Sequence, residues 1–135
     1  MNTKRVVLTG LAAGVLNLAL TLSMAFLVLL EDVRAQVERF QLQPPPYALF
    51  TGVGMQLFLG IAVVWLYAAI RPRFGPGPRT AVIAGLAVWF LSYAVHCELM
   101  VRLGLSPPEM ALRMLVWGFV QMPVVALAGA WLYRE

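Results

Sequence analysis

The stretch "VVLTGLAAGVLNLALTLSMAFLVLL", Val6 to Leu30, contains no charged residue. A helix of ~20 residues crosses the roughly 30 Å hydrocarbon layer of a bilayer, so this run predicts a transmembrane helix. Lys4 and Arg5 in front of it resemble the start of a signal peptide. A cleavable apolar region is only about 7–15 residues long, however, and a retained span is expected. Runs of the same kind occupy Tyr47 to Ile70, Ala81 to Val101 and Met110 to Tyr133. Residues 1–135 therefore read as a single all-α domain, an integral membrane four-helix bundle. Composition agrees, with 61% hydrophobic and 12% charged residues against about 45–50% and 25% in soluble domains. A surplus of that size requires the lipid bilayer as its solvent and partner.

The net charge of +4 is carried by arginines at the ends of the apolar runs. That is the placement of membrane-flanking charge, with no basic stripe for nucleic acid. One cysteine, Cys97, precludes an intramolecular disulfide. Lys4, Arg5, Arg71, Arg73, Arg79 and Arg134 fall on one side of the bilayer, opposed there only by Glu135. Arg34, Arg39, Arg102 and Arg113 on the other side are mixed with Glu31, Asp32, Glu38, Glu98 and Glu109. Because Lys and Arg are retained on the cytoplasmic side, both termini are expected in the cytoplasm of a bacterial cell, with the chain in the inner membrane. Trp65, Tyr67, Trp131 and Tyr133 then sit at the cytoplasmic headgroup level.

The connections read differently from one another. "RPRFGPGPR", Arg71 to Arg79, predicts a tight turn in which Pro72, Pro76 and Pro78 stop the helix. "EDVRAQVERFQLQPPP", Glu31 to Pro46, predicts an extension of the first helix beyond the lipid, with Val33, Val37 and Phe40 on one face. Ser106 before Pro107, Pro108 and Glu109 has the pattern of an N-cap with a capping box for the fourth helix.

Sliding the chain by 71 positions matches Thr9 with Thr80, Ala13 with Ala84, Gly14 with Gly85 and Leu20 with Leu91. Trp65-Leu66-Tyr67 reappears as Trp131-Leu132-Tyr133. Two helical hairpins in a parallel pseudo-repeat are expected from this.

Helices in lipid associate through small residues and scattered hydrogen-bonding groups. Gly10, Gly14, Asn17 and Thr21 form such a face on the first span, and Gly52, Gln56 and Gly60 on the second. The third offers Gly85, Ser92 and His96, and the fourth Gly118, Gln121 and Gly129. Asn17, Gln56, His96 and Gln121 are thus the candidate interior polar residues. The packing reading has them hydrogen-bonding one another; the functional reading has them lining a cavity for a small ligand or ion.

His96, Cys97 and Glu98 are consecutive and invite a catalytic reading. On a helix each residue turns by about 100°, so His96 and Glu98 diverge and form no dyad. Ser92 lies one turn before His96, but no carboxylate orients that pair and no catalytic residue is assigned. One His beside one Cys makes no four-ligand metal set, and His96 lacks any further haem-binding motif; no metal and no cofactor are assigned. Glu98 with Arg102 and Glu109 with Arg113 are each spaced for an ion pair at the outer boundary.

Four short spans, the "WLYAAIRPRFGPGPRTA" turn (Trp65 to Ala81) and the G-x-x-N pattern of Gly14 and Asn17 resemble small uncharacterised bacterial membrane proteins of similar length. That resemblance implies a fold and no activity. Small multidrug-resistance transporters also have four spans, but they rely on a membrane-embedded glutamate in the first. Here Asn17 or Thr21 stands at that depth. The leading expectation is a scaffold or accessory subunit in a homo-oligomer or larger complex. A small transporter is second, and an enzyme is not expected.

Overall fold

The computed structural model describes residues 2–133; Arg134 and Glu135, used above for orientation, lie outside them. Five helices are present among the described residues: α1 (Thr3–Leu27), α2 (Leu30–Phe40), α3 (Ala48–Phe74), α4 (Pro78–Arg102) and α5 (Pro108–Leu132). All but α2 are long and apolar enough to cross a membrane. In the bundle α1 packs on α3 and α5, α4 packs on α5, and α3 touches both α4 and α5. The chain ends meet, with Asn2 N donating to the Tyr133 hydroxyl at 3.4 Å.

Backbone contact without side chains joins α1 to α3. A Cβ on Gly60 would overlap the amide nitrogen and Cα of Gly14, and one on Gly10 would lie 2.6 Å from Ile61 Cα. On the other pair, a Cβ on Gly85 would lie 2.8 Å from Met122 O and Pro123 Cα. Dispersion between closely approaching backbones is what lipid-embedded helices gain from such positions. Gly52 departs from its expected face: it is exposed, with open space around it.

The turns correct the sequence reading in four places. The first helix does not continue into residues 31–40. At Val28 and Leu29 both amides converge on Met24 O, at 2.9 and 3.1 Å, and the chain turns before starting α2. The helix α2 is amphipathic, and it ends at Gln41 in the left-handed conformation, where Leu42 N reaches Val37 O.

The second correction concerns Pro72, which stands inside α3 instead of ending it. The helix closes three residues later, where Gly75 N donates to Arg71 O and the positive φ of Gly75 and Gly77 turns the chain. Thr80 then pins the turn by donating to Gly75 O at 2.8 Å. Third, Ser106 does not cap α5. Its amide and that of Leu105 both donate to Met100 O, at 3.2 and 2.9 Å, and Gly104 has φ +70, so this segment finishes α4. Pro107 and Pro108 start α5 without a side-chain cap.

The fourth correction has the largest consequence for the site. Residues Phe90–Ala94 of α4 form a π-helical turn. Each such turn takes up one extra residue, so the inward face runs Ala84, Val88, Tyr93, Cys97, with a step of five in its middle. An uninterrupted α-helix would have turned Ser92 and His96 inward. Instead His96 is exposed and Cys97 is 2% exposed. Deleting Leu91, a 70% exposed residue in the turn, restores α spacing between Val88 and Tyr93 without changing either contact. We expect that deletion to change the unfolding free energy by no more than a variant of an exposed surface position, about 0.5 kcal/mol. A deletion at Leu86 should be far more costly, because it rotates the buried Thr80, Ala81 and Ala84 by about 100° relative to Val88 and the rest of the helix. Thermal unfolding of the two variants in detergent compares them directly.

The expected aromatic anchors also divide. Trp65 and Trp131 remain exposed at 51% and 66%. Tyr67 and Tyr133 are buried, edge-on at 6.3 Å, because their hydroxyls are used inside the protein, by Gly77 N and Asn2 N.

Candidate functional site: an intramembrane amide cluster

Asn17 of α1, Gln56 of α3 and Gln121 of α5 converge inside the bundle. Asn17 Nδ2 donates to Gln56 Oε1 at 2.6 Å, and Gln121 Nε2 donates to Asn17 Oδ1 at 2.7 Å. Thr21 closes a ring: its hydroxyl accepts from Gln121 Nε2 at 2.9 Å and donates to Gln56 Oε1 at 3.4 Å. Asn17 is completely buried and Gln121 is 3% exposed. Helical periodicity makes this possible, since Asn17 and Thr21 are one turn apart on the face that also carries Gly10 and Gly14. The glycines bring α3 close enough for the short amide contacts.

The π-turn adds Tyr93, whose phenol sits beside Thr21 and Gln121. Its ring lies against Gly118, where a Cβ would come within 2.8 Å of it. Tyr93 was missed in the sequence reading because helical spacing puts it on the same side as lipid-facing neighbours; only the extra residue in the π-turn brings it inward. Of the four candidate interior residues, the structure brings together Asn17, Gln56 and Gln121 and leaves His96 apart. Ser92, its expected neighbour, donates to Val88 O at 2.6 Å and so satisfies itself within its own helix.

The cluster is built from amides and hydroxyls, none of which changes charge near neutral pH. It can hold geometry and hydrogen-bond a polar group, but it offers no general base. Two buried polar atoms nearby have no partner among the described residues, Gln121 Oε1 and Trp117 Nε1. Trp117 and Gln121, with Leu20, line an open apolar groove of about 670 Å³ between α1 and α5.

Comparison with protein-family models, curated proteins and solved structures finds no match. The site must therefore be read from its own geometry.

At the end of the bundle remote from the chain termini, Arg102 donates to Glu98 at 3.1 Å, as its spacing predicts. Both side chains are more than half exposed, so the pair contributes little to stability. The expected pairing of Arg113 with Glu109 is replaced: Arg113 Nη1 donates to Asp32 Oδ2 at 2.6 Å. The cause is the turn at Val28 and Leu29, which carries α2 across this end of the bundle. Gln36 Nε2 donates to Leu105 O at 2.9 Å and fastens the same helix at a second point.

Proposed function

We propose that the protein is a small scaffold or accessory subunit of a membrane complex, acting through helix contacts with copies of itself or with a larger assembly. The observation that carries this reading is that the interior amides are used by one another. A ring of Asn17 and Gln121, both buried, with the half-buried Gln56 and Thr21 fixes how α1, α3 and α5 sit. The residues left for contact outside are large and apolar, among them Phe26, Phe50, Phe58 and Phe119, each more than half exposed.

In this reading the arginine bias of the loops puts both termini in the cytoplasm and the chain in a bacterial inner membrane. The two hairpins are copies related by an axis along the membrane normal. In support, Gly14 and Gly85, which match under the 71-residue shift, each make a backbone approach, to Leu57 and to Pro123.

A second reading, a small transporter or ligand-binding or ion-binding protein using Asn17, Gln56 and Gln121, with His96 apart from them, draws on the groove between α1 and α5 and on the unpartnered carbonyl of Gln121.

Native mass spectrometry of protein solubilised gently from its own membranes, with an absorbance spectrum, tests the proposal. A homo-oligomer or a defined hetero-complex is expected. A bare monomer with no companion overturns it, and a transport signal lost in a folded Gln121→Leu variant favours the second reading.

A further inference from the structure

Beneath α2, where the last turns of α4 meet the first turns of α5, lies a pocket of about 390 Å³. Its walls include Met100, Met110 and Met114 together with Cys97 and His96. Six methionines lie among the described residues, and half of them line this one pocket. A further methionine, Met24, belongs with Met110 to the small apolar cluster beside it. Met114 packs against that cluster too, so these side chains serve packing as well as lining the pocket. Met122 lies in the main core and Met55 faces outward, while the pocket gathers sulfur from two different helices next to the protein's only thiol and only imidazole.

The donor set selects the ion. Thioether and thiolate sulfurs are soft ligands that favour Cu(I), whereas Mg²⁺ and Ca²⁺ need oxygen. No carboxylate lines the pocket, and the amide of Gln36 at its rim is already bonded to Leu105 O. Among the described residues no three His, Cys, Asp or Glu side chains gather for a metal, so a divalent ion has no conventional set here. Thioethers carry no charge, and in apolar walls they suit a monovalent ion. If Cys97 binds as thiolate, one proton leaves as one Cu⁺ enters and the site stays electrically neutral. No electron is transferred in this exchange.

We propose that this pocket binds Cu(I), with the sulfurs of Met100, Met110, Met114 and Cys97 as its donors and the imidazole of His96 at its mouth. The π-turn of α4 is what makes the set coherent. It turns Cys97 inward, where it joins Met110 and Met114 in the pocket wall, and leaves His96 at the exposed mouth. The helix α2, fastened by Asp32 to Arg113 and by Gln36 to Leu105 O, borders the pocket with Gln36 and Phe40, and Leu42 just beyond its end adds to the wall.

The test uses the full-length protein in detergent or nanodiscs, titrated anaerobically with Cu(I) against a chromophoric Cu(I) chelator. One ion per chain is expected, with a sulfur-dominated first shell in copper X-ray absorption. Met110→Leu and Met114→Leu conserve side-chain volume and should leave the fold intact, yet each should weaken binding by roughly tenfold or more, the scale on which metal sites respond to altered surroundings. Cys97→Ser should weaken it further and abolish proton release. Met55→Leu, far from the pocket, should bind as the parent does. Failure to retain Cu(I) against the chelator overturns the proposal. So does equal affinity in the parent, Met110→Leu and Met114→Leu proteins, or a first shell of nitrogen and oxygen only.

Discussion

Replacing Gly60 with leucine is expected to abolish the packing of α1 on α3, with a loss of at least about 3 kcal/mol, the upper range for overpacking a close-packed interior. A first side-chain carbon at this position already meets Gly14 N and Cα, and Gly10 O at 2.5 Å. These are backbone atoms of a helix, so no rotamer change relieves the overlap; α1 and α3 must separate. Separation also breaks the short contact of Asn17 with Gln56, so the polar ring opens as well. Gly60→Ala should show the same effect in smaller degree. Gly52→Ala and Gly54→Ala are the controls, since both glycines face open space. Alanine there should leave stability unchanged or raise it by up to about 1 kcal/mol through helix propensity. Unfolding in increasing mole fractions of sodium dodecyl sulfate, followed by circular dichroism, reads all four variants. Equal behaviour of Gly60→Ala and Gly52→Ala would contradict the backbone contact.

The parts of the structure that depend on length and solvent preference were legible in the sequence. The span read at Tyr47 to Ile70 is α3, the span at Ala81 to Val101 lies within α4, and the span at Met110 to Tyr133 corresponds closely to α5, because a bilayer demands a long apolar helix whatever its neighbours do. Asn17, Gln56 and Gln121 were legible as interior residues for a similar reason, since amides at depth need partners. What escaped was local backbone geometry. The bend after Leu27 falls in "LVLLEDV", which has no proline or glycine to mark it. Pro72 was read as a stop, yet a helix end tolerates the lost hydrogen bond when the next turn closes on glycine. The π-turn at Phe90–Ala94 has no compositional signature, because it changes only the count of residues per turn. That single residue exchanged His96 for Cys97 on the inner face and brought in Tyr93. The ion pair of Arg113 was misassigned for a related reason: local spacing favoured Glu109, while the unmarked bend delivered Asp32 from far along the chain.

Asn17→Leu is expected to destabilise the bundle by about 2 kcal/mol, more than Gln121→Leu does, although Gln121 makes as many contacts. Interhelical hydrogen bonds in membranes average about 0.6 kcal/mol and reach about 1.7. Asn17 is both donor and acceptor, at 2.6 Å to Gln56 and 2.7 Å from Gln121. Its loss leaves an acceptor on α3 and a donor on α5 facing a leucine in the interior, where an unmade hydrogen bond costs more than a made one contributes. Removing Gln121 strips the donors from Asn17 Oδ1 and Thr21, but it also removes the carbonyl that already lacks a partner. Part of the cost is thereby offset, and about 1 kcal/mol is expected. The double variant should lose less than the sum of the two, since both singles break the same bond. Unfolding free energies for the parent, both singles and the double complete the cycle. If Gln121→Leu proved the more damaging, Gln121 rather than Asn17 would be the hub of the cluster, and its unpartnered carbonyl would have to be engaged in the membrane by something outside the chain.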